Sequence, residues 1–269
     1  MSIDEVRAFW DNRVCNINHS QKEIGTKDYF NEVEAKKYHV EPHILTFSEF
    51  DKFTNKRVLD LGCSMGTMLI SFARAGAIVT GVDLSSVSLD LCRKRLDVFG
   101  LKADLYCGNA EELDTFLPVE KYDLIYSFGV IHHSPNPKKI IEQLSYYLKP
   151  EGELRMMVYS AVSYKAFAVM HYSNKWHIPT MRDAIRLESE AQYGSPVTFV
   201  YTFDEVKQLL QPYFTVQKIW KDHIFTWDVD QYKQGIFKRA DAFVDITEDE
   251  LSTLASELGW HTMCIATLN

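Results

Sequence analysis

VLDLGCSMGT, residues 58–67, is a short apolar run that must pass sharply from a buried strand into a helix, and its two glycines let the turn's backbone approach a ligand closely. The helix that follows runs to Ala75, with Met68, Leu69 and Phe72 recurring at helical spacing. Twenty-one positions beyond Gly62, at the end of the next apolar run AIVTGVD, stands Asp83. An acid at the tip of a second strand can accept both hydroxyls of a ribose. Each feature alone has a plain structural reading, since glycine turns are common and an Asp after a strand often only caps the next helix. In this order, within one strand-helix-strand unit, they point together to a nucleoside ligand.

Working outward, short apolar runs alternate with helical patterns from Arg57 onward, as in successive βα units around a buried, mostly parallel sheet. A helix is expected over 86–99, with Leu89, Cys92 and Leu96 on one face and Arg93, Lys94 and Arg95 partly exposed. A third strand ends near Cys107, and YDLIYSF has the continuous hydrophobicity of a central strand. A helix over 138–148 follows, then Pro150, Glu151 and Gly152 as a reversing turn, then a fifth strand, ELRMMVYS. Thr202 and Glu205 have capping-box spacing ahead of another helix, and the acidic run 248–250 after Thr247 reads as a helix start. The domain plan is a cap over 1–56, a core over 57–160, a cap insertion over 161–200, and a return to the core over 201–269, itself interrupted by a second cap at about 221–258.

Composition bounds the function. The 269 residues are 46% hydrophobic, enough for one α/β domain with a lid, and the formal charge of -8 offers no basic field for a polyanion, so nucleic acid is not the expected partner. The five cysteines (Cys15, Cys63, Cys92, Cys107, Cys264) lack Cys-x-x-Cys spacing, and no His-x-x-x-His pair stands beside a Glu, so neither metal nor disulfides are expected. No leader-like or membrane-spanning run occurs, which fits a cytoplasmic chain.

Residues 60–66, Asp-Leu-Gly-Cys-Ser-Met-Gly, resemble the first motif of class I S-adenosylmethionine-dependent methyltransferases, acid-x-Gly-x-Gly-x-Gly, with Ser64 at the middle glycine. The likeness extends through Asp83, GNAEEL, YDLIYSFGVIHHSPNP and LKPEGEL, and is nearest to the branch with the quinone-biosynthesis methylases. A dinucleotide dehydrogenase is the rival, but its fingerprint would want Gly at 64 and Gly or Ala at 67, where this chain has Ser and Thr.

The resemblance implies a Rossmann-like three-layer sandwich: a seven-stranded, mostly parallel sheet whose last strand is antiparallel, with TVQKIW and WHTMCIATL as an edge hairpin and helical caps over the active site. It implies S-adenosylmethionine as cofactor, held by Asp60, Gly62, Cys63, Ser64, Gly66, Asp83, Leu84, Asn109, Ala110, Glu111 and Ser127, with Asn109 and Ala110 beside the adenine and Ser127 near the methionine moiety. A side-chain amide at 109 can still meet the adenine amino group. For the transfer, a base would serve if the acceptor is a hydroxyl or an acidic carbon, and the candidates are His132, His133 and Tyr29, with His43, His171, Tyr172 and His177 behind them. Aromatics crowd the caps, among them Trp10, Tyr164, Trp176, Tyr193 and Trp227, and suit a covered pocket for a small organic acceptor, a cap core, or the interface of a homodimer. A protein methyltransferase and a non-catalytic cofactor-binding protein remain the alternatives.

Overall fold

The computed structural model describes residues 2–174, 176–192, 194–234 and 236–269; Tyr193 lies outside the described residues, as does the side chain of Tyr172. Three helices come first, α1 (Ile3–Asn12), α2 (Lys27–Val40) and α3 (His43–Ser48). Next is the alternating run β1 (Arg57–Leu61), α4 (Thr67–Arg74), β2 (Ile78–Asp83), α5 (Ser86–Phe99), β3 (Asp104–Cys107), β4 (Tyr122–Phe128), α6 (Pro137–Tyr147) and β5 (Leu148–Tyr159). The chain closes with α7 (Tyr164–Ser173), α8 (Ile178–Gln192), α9 (Phe203–Leu210), β6 (Phe214–Asp222), α10 (Val229–Lys233), α11 (Glu248–Leu258) and β7 (His261–Leu268).

The seven strands form one sheet in the order β3-β2-β1-β4-β5-β7-β6. β1 pairs in parallel with β2 and β4, while β7 pairs antiparallel with both β5 and β6, so the expected hairpin sits at one edge. Apolar side chains cover both faces, Ile140, Ile141, Leu144 and Val206 on one and Ile44, Leu69, Phe72 and Leu89 on the other, giving three layers. The strand order reverses between β1 and β4, and the crevice outside their carboxyl ends is where such sheets bind ligands.

Local signals account for much of this. Ser85 caps α5 and Gly100 ends it in the left-handed region; Asn136 caps α6 with Pro137 in its first turn. The capping boxes Thr202/Glu205 and Thr247/Glu250 form as their spacing predicts.

Three details differ from the sequence reading. Pro150, Glu151 and Gly152 are not a free turn: β5 begins at Leu148, and its register against β4 jumps from Tyr122↔Leu148 to Leu124↔Glu153, so the extra residues bulge within the strand. Arg95 is fully buried, donating to Glu34 Oε2 (2.7 Å), Thr67 Oγ1 (2.9 Å) and the Phe30 carbonyl (3.4 Å), which ties α2 and α4 to α5. The stretch 161–200 is largely helical: α7 and α8 close a small core of Ala166, Val169, Met181 and Ile185.

Candidate active site

Gly62, Ser64 and Gly66 all have positive φ (76°, 48° and 81°), winding the 62–66 loop so that its backbone faces the crevice. The loop is pinned from behind by Gly62 N donating to the Val82 carbonyl (2.7 Å) and from the side by Met65, which packs with Tyr29, Phe30 and Val33 of α2. Asp83 does double duty. Its Oδ2 accepts from Ser64 N and its Oδ1 from Ser85 N, both at 2.8 Å, so one carboxylate braces the loop and the start of α5 while opening onto the pocket.

The crevice is a pocket of about 260 Å³. Of the residues expected to bind cofactor, it brings together Gly62, Cys63, Ser64, Asp83, Leu84, Asn109 and Ala110. Asn109 Oδ1 accepts from Glu111 N (3.0 Å), which fixes the orientation of its amide. Asp60, Gly66, Glu111 and Ser127 are not on the wall. Glu111 is spent on bracing, its Oε1 accepting from Ser134 Oγ (2.5 Å) and Asn136 N (3.0 Å), and Gly66 caps α4 behind the loop. Asp60 and Ser127 are buried at the ends of β1 and β4, and Asp60 Oδ2, Ser64 Oγ and Ser127 Oγ have no hydrogen-bond partner among the described residues. Buried oxygens without partners are costly unless something supplies donors, and a ligand carrying an ammonium and hydroxyls would.

Burial, with the charge of Asp83 adding to it, pushes the Asp60 carboxyl up to about 8, and burial pushes Asp83 up to about 6. From the ordinary value of 3.8 up to about 8, folded Asp60 keeps a proton that the unfolded chain has released, so its contribution to stability falls as pH rises through that window. Without ligand, the melting temperature of Asp60→Asn should therefore decline less from pH 5 to pH 8 than that of the wild type; parallel profiles would contradict the shifted carboxyl.

The candidate bases separate. His133 lines the pocket, edge-on to Trp10 (5.3 Å between ring centres), and its Nδ1 is 2.8 Å from the Val197 carbonyl. A carbonyl only accepts, so Nδ1 carries the hydrogen and Nε2 of the neutral ring is the basic nitrogen. His132 is completely buried, packed at a tilt between His133 and Tyr159, with neither ring nitrogen hydrogen-bonded among the described residues; burial holds its pKa well below the usual value. It does not line the pocket. Nor does Tyr29, which is fully buried and donates to the Ile17 carbonyl (2.8 Å). Tyr29→Phe should cost about 1 kcal/mol of stability in chemical denaturation and leave turnover unchanged. His171 and His177 are exposed and off the pocket, whereas His43 supports its wall through His261.

Several wall residues escaped the sequence reading. Ile3 and Val6 of α1 cover the crevice beside Trp10, one of the cap aromatics named from sequence, and Lys37, Glu41, Phe128, Met157, Tyr159 and His261 line its walls. The available signal for α1 was Ser2-x-x-Glu5, a capping box that does form.

The segment around this loop matches known proteins. Residues 58–152 fit the family model described as a methyltransferase domain. The class I resemblance carried by residues 60–66 is thereby borne out over this segment. The chain is 37% identical over 102 residues to a ubiquinone biosynthesis O-methyltransferase of Actinobacillus pleuropneumoniae serotype 5b (strain L20), covering 37% of this chain and 44% of that protein. It is 39% identical over 107 residues to the enzyme of that name from Pasteurella multocida (strain Pm70), with 37% and 44% covered. The match thus spans less than half the length of these relatives. The fold of the whole chain is similar to the structure of magnesium protoporphyrin IX methyltransferase from Synechocystis PCC 6803 with bound SAH, at a TM-score of 0.62 and 12% identity, covering 100% of each chain.

Proposed function

We propose that this protein transfers a methyl group from S-adenosylmethionine to a small organic acceptor, at oxygen or carbon, by direct displacement. The observation that carries the reading is a single pocket running from Asp83 and Asn109, past the 62–64 backbone, to His133, Tyr159 and His261. The residues present fit the cofactor: Asp83 offers a carboxylate to ribose hydroxyls, Asn109 an amide to adenine, and the partnerless Ser64 Oγ on the wall an acceptor for the methionine end, with the partnerless oxygens of Asp60 and Ser127 buried behind it. When bound, the sulfonium supplies an activated methyl whose leaving group loses its positive charge. The protein's part is to align the acceptor, exclude water beneath α1, and take a proton where the acceptor has one to lose, for which His133 Nε2 is the placed base.

Residues 57–160 would hold the donor, and the segments 1–56, 161–200 and 221–258 would shape the acceptor's end. The O-methyltransferase relatives support a phenolic or quinone-like acceptor. Among the described residues no helix is long and apolar enough to cross a membrane. We place the protein in the cytoplasm, where its free cysteines would persist, and read the exposed Tyr164, Phe167 and Leu187 as the pairing face of a homodimer.

Calorimetry with S-adenosylmethionine and S-adenosylhomocysteine, followed by assay of homocysteine-product release across a library of phenols, quinols and peptides, tests the proposal. Binding of both nucleosides and turnover on phenols or quinols is expected. Binding without turnover would leave a sensor, turnover on peptides a protein methyltransferase, and failure to bind either nucleoside would remove the premise.

A further inference from the structure

At the end of the pocket away from Asn109 lies a cluster to which the methyl-transfer reading gives no chemical role. Glu41 follows α2, His43 opens α3, and His261 opens β7; one ligand atom from each lies within 4.8 Å of the others. His43 Nε2 and His261 Nδ1 are 2.9 Å apart, and both rings are more than nine-tenths buried. Glu41 Oε1 accepts from Lys37 Nζ (2.6 Å), while Oε2 is buried with no hydrogen-bond partner among the described residues. A third imidazole, His223, stacks on His43 and lies tilted against His261, with ring centres 5.2 and 4.6 Å away, limiting their rotation.

We propose that Glu41, His43 and His261 form a binding site for a divalent transition-metal ion of the zinc class, with an open coordination position facing the acceptor's end of the pocket. Two imidazoles and a carboxylate are a donor set such ions favour, and three protein ligands leave the fourth position to water or substrate. Two nitrogens bound tetrahedrally at about 2.05 Å would stand about 3.3 Å apart, so the pair needs to open by only a few tenths of an ångström. The blander account is a hydrogen-bonded histidine pair, which one shared proton would satisfy. It leaves Glu41 Oε2 unexplained, and a cation between the three groups satisfies that oxygen too.

The open face gives the ion work to do. Glu41 and His261 both line the pocket, so an acceptor hydroxyl reaching this end would coordinate directly and release its proton to water near neutral pH. Such an ion would select acceptors with an oxygen at that end, beyond what shape alone provides. No local sequence pattern marks the site, because His43 and His261 are 218 positions apart.

The test uses the whole protein, stripped with a chelator and titrated with Co2+ alone. One equivalent should bind with the visible absorption of a low-symmetry site, and Zn2+ should displace it. Because loss of an outer partner already weakens metal sites 10- to 100-fold, Glu41→Gln and His43→Ala should each weaken binding by at least about 100-fold. Thermal melting and S-adenosylhomocysteine calorimetry on the variants identify any that misfold; Glu41→Gln keeps the side chain's shape and is the decisive one. No saturable Co2+ band in the wild type, or a band unchanged in Glu41→Gln, overturns the site. Cofactor affinity is read independently of metal, so a failure here is distinguishable from a failure of the methyl-transfer reading.

Discussion

Gly62→Ala should lose about 2–5 kcal/mol of stability in chemical denaturation and bind S-adenosylhomocysteine poorly, if at all. Two costs add. Gly62 sits at φ 76°, where an L side chain pays steric strain of about 1–2 kcal/mol. A Cβ built there would fall 2.2 Å from Val130 Cγ2 and 2.9 Å from its Cγ1, far inside contact distance. Val130 is β-branched and stiff at χ1, so relief must come from the backbone of the 129–131 turn, and overpacking of this kind costs about 1–3 kcal/mol. Gly62 and Val130 both face the pocket, so the displacement is delivered to the ligand site. Gly100→Ala separates the costs: its φ is 64°, but a Cβ there meets nothing within 4 Å. It should lose only the strain, and Val130→Ala combined with Gly62→Ala should recover part of the clash in a double-mutant cycle. Equal losses at Gly62 and Gly100 would sink the clash argument.

What could be read from sequence was what local rules dictate. Buried strands appear as apolar runs, and the 58–67 turn and Asp83 mark the crevice because backbone geometry and strand-end position are sequence-local. Capping boxes at Thr202 and Thr247 worked for the same reason. The misses are long-range or directional. His132 and His133 are neighbours in one short turn, and only the packing of Tyr159 and the strap bearing Val197 decides which faces the pocket. Tyr29 looks available in sequence but is consumed by the Ile17 carbonyl, and Arg95, read as partly exposed, is drawn inside by Glu34 on another helix. The far wall, Glu41 with His261, joins chain ends that no window of sequence can bring together.

Asp83→Ala should weaken S-adenosylhomocysteine binding by about 1–3 kcal/mol, roughly 5- to 150-fold, the usual range for losing a charged hydrogen-bond partner. The structure complicates the cause, since removing the carboxylate also frees Ser64 N and Ser85 N and so loosens the loop that would carry the methionine end. A ribose analogue resolves it. If Asp83 holds the sugar, the wild type should discriminate strongly against a 2′,3′-dideoxy nucleoside and the variant should not, because the lost hydroxyls would have no partner left to miss. Equal losses for both ligands would assign Asp83 to bracing alone, and no loss for either would remove it from the site. The pH dependence gives a second check with a definite sign. Burial pushes the Asp83 carboxyl up to about 6, and only the ionised form offers acceptors on both oxygens. Wild-type affinity should therefore fall as pH drops below about 6, while Asp83→Ala, already without the carboxylate, should lose that component of the profile.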